Sequence, residues 1–130
     1  MVPAAAAAPS FLFQNINNIS EEELDSLPYG VIQLDAAGNV LRYNSYEANL
    51  AGLTKQKVVG KNFFEQVAPC TEVREFYGKF EKGVAAGQMH TTFRFHFAFK
   101  KDSRDVTVTL FYNQRDETVW VLVQPFAFKK

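Results

Sequence analysis

The chain holds one thiol, Cys70, in the run Val67-Ala68-Pro69-Cys70. Pro69 fixes one backbone angle and removes an amide, so the sequence predicts a stiff loop for this thiol, just ahead of a helix. A thiol at or near a helix N-terminus can have a lowered pKa and act as a nucleophile. A lone cysteine is also commonly a small buried hydrophobe, and its context alone does not separate the two roles. Tyr43 and Glu47 stand four residues apart, where a strand hands over to a short helix. With Tyr43 at the start of that helix both polar tips project to one side. A phenol and a carboxyl so placed could together hydrogen-bond one anionic oxygen; a half-exposed tyrosine and a surface glutamate satisfy the same spacing. His90 and His96 lie far from Cys70 with no local signature joining them, and the three lack metal-ligand spacing. No glycine loop ends in Lys-Ser/Thr, which leaves nucleotide binding without support.

These residues must be held by a fold that 130 residues can build, and that length fits one domain. A chain 47% hydrophobic and 22% charged has the composition of a folded globular protein. Fourteen basic residues balance fourteen acidic ones, which excludes a strong overall draw to nucleic acid or anionic membrane. One cysteine excludes an internal disulfide, and no apolar run nears the ~18 residues of a membrane span. Thirteen Phe, five Tyr and one Trp make a core that could hold a flat ligand, although bulky packing accounts for them equally well. Charge is uneven: no Lys or Arg precedes Arg42, and Glu21, Glu22, Glu23, Asp25 and Asp35 give the first 41 residues a formal −5, leaving +5 (14 basic minus 9 acidic) for the rest. Either the acidic segment sits against a basic body, or it is a solvated surface. Residues 1–9 lack the pattern of a signal peptide and read as a short leader, so the expected compartment is cytoplasmic.

Ser20-Glu21-Glu22-Glu23 is a capping box, with Leu24 and Leu27 on one side of the short helix it opens and Pro28 closing it. Phe11, Phe13, Ile16 and Ile19 make the stretch before it apolar enough to dock. Residues 1–28 therefore read as a leader and helical cap, and residues 29–130 as the core. Val31–Leu34 and Val40–Tyr43 form a hairpin about the turn 35–39. Asn44 and Ser45 cap a helix that Gly52 stops, and Thr54 opens another that Gly60 ends. A longer helix is predicted from about Glu75 to Ala86, with Phe76, Phe80 and Val84 on one face. Strands Thr91–Phe99, Val106–Tyr112 and Val119–Phe126 follow; the first alternates Phe93, Phe95, Phe97 and Phe99 against Thr92, Arg94, His96 and Ala98. The expected fold class is α+β, a five-stranded antiparallel sheet with helices over one face.

The segments Tyr29-Gly30-Val31-Ile32-Gln33-Leu34-Asp35, Gly38 to Asn44 followed by Glu47, Val59 to Phe64, Val67 to Thr71, Glu75 to Phe80 and Gly83 to Ala85 together resemble the photoactive yellow proteins. These are bacterial blue-light receptors of PAS type, and the resemblance runs from about Leu24 to the C-terminus. A generic PAS domain shares the strand order but not Tyr43, Glu47 and Cys70 in these contexts. The resemblance implies p-coumaric acid (4-hydroxycinnamic acid) bound as a thioester to Cys70, with its phenolic oxygen hydrogen-bonded by Tyr43 and Glu47. Asn44 would support the turn, the Cys70 amide would hold the thioester carbonyl, and Phe63, Val67 and Phe97 would form walls, with Pro69 and Ile32 also at the pocket.

The resemblance further implies a non-enzymatic light sensor. The chromophore double bond turns from trans to cis, the phenolate takes a proton from Glu47, and the partly unfolded protein, its cap released, is the signalling state. A free phenol titrates near ~10, so donors must pull the ring toward its anion while burial keeps Glu47 protonated. The expected partner is an unspecified downstream signalling protein, with neither nucleic acid nor membrane, and the chain is expected to be a monomer or weak dimer. The alternative is a PAS interaction or ligand-sensing domain without photochemistry; an enzyme using Cys70 as nucleophile ranks third. Departures from the family pattern stand at Ala51, Leu53, Phe95, Phe99 and Lys101, where familiar members carry Thr, Arg, Tyr, Tyr and Met; colour, phenolate pKa and recovery rate are expected to shift with them.

Overall fold

A computed structural model describes residues 9–98 and 103–125, so Phe99, Lys101 and the end of the last strand lie outside the described residues. The capping box at Ser20 forms: Ser20 Oγ accepts from the Glu23 amide at 3.0 Å and Glu23 Oε1 accepts from the Ser20 amide at 2.9 Å. It opens α2 (Glu21–Asp25), which α1 (Pro9–Gln14) precedes. Strand β1 (Gly30–Leu34) turns through Asp35, whose carboxylate accepts from the Ala37 and Asn39 amides, and through Gly38 at φ 93°. That left-handed backbone suits a residue without a Cβ. β2 (Val40–Tyr43) returns into α3 (Ser45–Ala51), which Gly52 ends in the left-handed conformation, and α4 (Lys55–Val58) follows.

The helix expected from about Glu75 to Ala86 forms as one unbroken helical run, but its first turn is not α-type. A wide π-type turn, Arg74–Gly78, leads into α5 (Lys79–Ala86), and a second such turn spans Phe63–Val67. In these turns amides bond five residues back, as Ala68 to Phe63 at 2.8 Å and Gly78 to Val73 at 3.3 Å. The extra residue per turn brings Phe63 and Phe64 inward together, a choice that 3.6-residue periodicity does not anticipate.

Strands β3 (His90–Ala98), β4 (Ser103–Asn113) and β5 (Thr118–Pro125) complete an antiparallel sheet of order β2-β1-β5-β4-β3. The last turn falls one residue later than expected, at 114–117, since Asn113 ends β4. Side-chain alternation makes two separate cores. Ile32, Leu34, Val106, Val108, Leu110, Val119, Val121 and Val123 face the helices. Val31, Trp120 and Leu122 face the opposite way, where Leu12, Ile16, Ile19, Leu24 and Leu27 cover them. The N-terminal cap thus forms a third layer behind the sheet, with Phe13 half-buried against Phe111; the Phe11 side chain lies outside the described set.

The acidic segment does sit on basic residues: Arg42 pairs with Glu21, and Lys55 with Glu21 and Asp25. Such surface pairs contribute about 0–1 kcal/mol each, against roughly 1.5–3 kcal/mol for each fully buried Leu or Ile. Burial therefore holds the cap and charge orients it.

On the helix side, Phe76 is fully buried and its ring centroid lies 5.2–6.1 Å from those of Phe63, Phe64, Phe93, Phe95 and Phe97. Phe76→Ala should lower the unfolding free energy by roughly 3–5 kcal/mol, read as a drop in the urea midpoint with the slope unchanged. Half-buried Phe93 cut to Ala should cost clearly less; equal losses would remove Phe76 from the centre of the core.

Candidate functional site

Tyr43 ends β2 opposite Ile32 of β1, and Asn44 follows as the N-cap of α3. Asn44 is fully buried and fully bonded: Oδ1 accepts from the Val31 amide at 2.9 Å and the Glu47 amide at 3.2 Å, while Nδ2 donates to the Leu24 carbonyl at 2.8 Å and the Tyr29 carbonyl at 3.0 Å. One side chain thus ties the cap, the first strand and the helix of Glu47 together. This is a larger role than the turn support expected of it.

That anchoring turns Glu47 inward. Its side chain is 1% exposed, and Oε1 is buried with no hydrogen-bond partner. Desolvation pushes its pKa up to about 8 from the usual 4.5. Tyr43, equally buried, has its phenol pKa raised first by desolvation and then by the neighbouring Glu47 charge. Burial thus favours the proton-bearing form of both groups, and the surface-Glu alternative left by the four-residue spacing is removed.

Ile32, Tyr43, Phe63 and Phe97 are buried in one cluster, and Val67 and Cys70 pack on it half-buried. Pro69 is exposed and opens a single 3-10 turn, Pro69–Thr71, that carries Cys70. The thiol therefore sits within a 3-10 turn rather than at the N-terminus of a helix: the helical run after it begins at Arg74, after Val73 in extended backbone. Leu53 packs on the same cluster, and Ala51 is buried on α3. His96 instead faces solvent and pairs with Asp105 at 2.8 Å, while the His90 ring meets Phe13 and Phe111 at 5.1 and 5.4 Å. Two features escaped the reading of spacing. Phe76 supports both Phe63 and Phe97, and Gly30 lies directly against the Glu47 carboxyl. A glycine inside a β-run is itself a sign of close approach, so the second was legible.

The buried, partnerless Oε1 beside a phenol, at an aromatic-lined core that also holds the chain's one thiol, fits a flat group bearing an anionic oxygen and a thiol-reactive end. The PAS fold family matches residues 20–125, and the antiparallel sheet with its helical layer is that fold. The photoactive yellow protein of Halochromatium salexigens is 41% identical over 110 residues, 85% of this chain and 88% of that protein. The photoactive yellow protein of Rhodothalassium salexigens is 36% identical over 107 residues, covering 82% and 86%. Among solved structures, the photoactive yellow protein domain of the sensor histidine kinase Ppr from Rhodospirillum centenum superposes with a TM-score of 0.81 at 35% identity, covering 85% of this chain and 97% of that one. The chain is thus a PAS-fold protein. Within that fold it belongs to the photoactive yellow protein family, and its function is that of a blue-light photoreceptor carrying a chromophore. No helix among the described residues is long and apolar enough to cross a membrane.

The raised acidity constant of Glu47 has a thermodynamic signature. Between pH 4.5 and about 8 the folded chain retains a proton that the unfolded chain has released, so stability falls as pH rises through that window. Chromophore-free wild type should show this fall in urea unfolding at stepped pH, and Glu47→Gln should flatten it. An equally steep fall in the variant would show that the slope comes from other groups.

Proposed function

We propose that the chromophore is p-coumaric acid, held as a thioester on Cys70 Sγ, with Tyr43 and Glu47 binding its phenolic oxygen. The observation that carries this reading is the buried Glu47 Oε1 without a hydrogen-bond partner. Bound there, the group supplies blue-light absorption and a double bond that light can turn from trans to cis. Cys70 anchors one end from its short turn, while Ile32, Phe63, Val67 and Phe97 exclude water from the rest; Pro69 stiffens the turn.

Tyr43 and protonated Glu47 donate to the phenolic oxygen and hold it as an anion against the cost of burial. Glu47 also stores the proton: with its pKa near 8 it releases that proton when its acceptor becomes more basic. Loss of the proton leaves a carboxylate in a site 1% exposed, a costly charge without a counter-ion. Strain at Glu47 acts on α3, and α3 is tied to the cap through Asn44 Nδ2 to the Leu24 carbonyl and the Ser45 amide to Asp25. Release of the cap, residues 1–28, from the core, residues 29–130, is then the readout for a downstream signalling protein.

The test is reconstitution. The expressed chain, mixed with an activated ester of p-coumaric acid, should become yellow, gain the mass of one p-coumaroyl group, bleach under blue light and recover in the dark. Cys70→Ser should stay colourless. Glu47→Gln should remain coloured but absorb at longer wavelength, because a weaker donor leaves the anion less localised on its oxygen, and its proton release should be lost. Wild type that stays colourless, or Cys70→Ser that labels equally well, would sink the assignment.

A further inference from the structure

Gly30 is the first residue of β1 and pairs with Val123 of β5, in the helix-facing register of Ile32 and Leu34. Glycine inside a strand weakens it, because the residue loses backbone freedom and packs nothing. Four glycines here sit at positive φ, namely Gly38, Gly52, Gly60 and Gly87; Gly30 does not. Its backbone would accept any residue, so conformation does not require a glycine at this position. Space does. A Cβ on Gly30 would overlap Glu47 Oε1 and lie 3.1 Å from the Glu47 carboxyl carbon and 3.2 Å from its Cβ.

That contact runs along the whole glutamate, so the carboxyl cannot clear it by swinging its tip alone. Nor can the helix step back freely, because Asn44 Oδ1 bonds the Val31 amide, next to Gly30, and the Glu47 amide at once. Strand and helix are thereby fixed at the separation that presses the carboxyl onto the Gly30 backbone. We infer that Gly30 is a positioning residue, a notch in the sheet that seats the Glu47 carboxyl beside Tyr43 and so sets its strength as a hydrogen-bond donor. This rests on the reading of Glu47 as a donor to the chromophore, and it goes beyond that reading by naming what holds the donor in place. Among the described residues, Tyr43 is the titratable neighbour whose proton binding responds to the Glu47 charge.

The experiment reads the chromophore-free chain, so it does not depend on the pigment. In Gly30→Ala, the infrared stretch of the protonated Glu47 carboxyl, identified by its loss in Glu47→Gln, should shift. The fall in stability between pH 4.5 and about 8 should shrink by more than half. Gly78→Ala, whose new methyl would meet only the Arg74 side chain at 3.4 Å, should change neither. If Gly30→Ala does not fold, Gly30→Ala/Glu47→Ala must fold, since truncating the glutamate removes the Oε1 overlap and the carboxyl-carbon contact and leaves only the 3.2 Å approach of the two Cβ atoms; that rescue is itself the expected result. Failure of both variants to fold would overturn the inference, and so would a folded Gly30→Ala with wild-type band and slope. The donor reading fails separately, through an unchanged absorption maximum in reconstituted Glu47→Gln.

Discussion

An ionisable carboxyl buried with one oxygen unpaired is a liability in most folds, and this chain organises several elements to keep one. Glu47 lies 1% exposed, its Oε1 meets no donor, and desolvation alone lifts its pKa to about 8. Every nearby element contributes to that outcome. β2 delivers Tyr43, Asn44 caps the helix that turns the carboxyl inward, and β1 offers bare backbone where a side chain would collide. The protonated acid is tolerable in such surroundings and its anion is not. Proton occupancy at one atom is therefore coupled to the packing of three elements.

Local chemistry was the most readable part of the sequence. The capping box at Ser20, the Asn44 cap, the stop at Gly52 and the alternating phenylalanines of β3 depend on a few neighbouring residues, and all form as expected. Features that depend on distant parts of the chain were harder to see. The wide turns at Phe63–Val67 and Arg74–Gly78 use five-residue hydrogen bonds that hydrophobic spacing does not register, so a uniform α-helix was expected where a π-type first turn runs into α5. The depth of Glu47 could not be read from its distance to Tyr43, because spacing specifies a face and not what covers it. The unbroken apolar run Val119–Val123 did carry the signal of a strand buried on both sides.

The cap is bound by two kinds of force with different ranges. Leu12, Ile16, Ile19, Leu24 and Leu27 supply short-range burial, and Glu21 and Asp25 meet Arg42 and Lys55 at the rim. Asn44 adds a specific link, since its amide group reaches a carbonyl of the cap and its oxygen reaches the amide of Glu47. A disturbance at the carboxyl thus has a direct mechanical path to the N-terminal layer. The ion pairs, being exposed, weaken in salt, while the buried leucines do not.

The sheet itself has a consequence of its own. Because β1 and β5 send alternate side chains into two cores that do not mix, the five strands act as a bulkhead between compartments. Flooding of the rear compartment, where Trp120 and Leu122 lie, would leave Val119, Val121 and Val123 dry on the other side. Loss of the rear packing would therefore leave the aromatic core at the front at low polarity, since the two cores share no side chains.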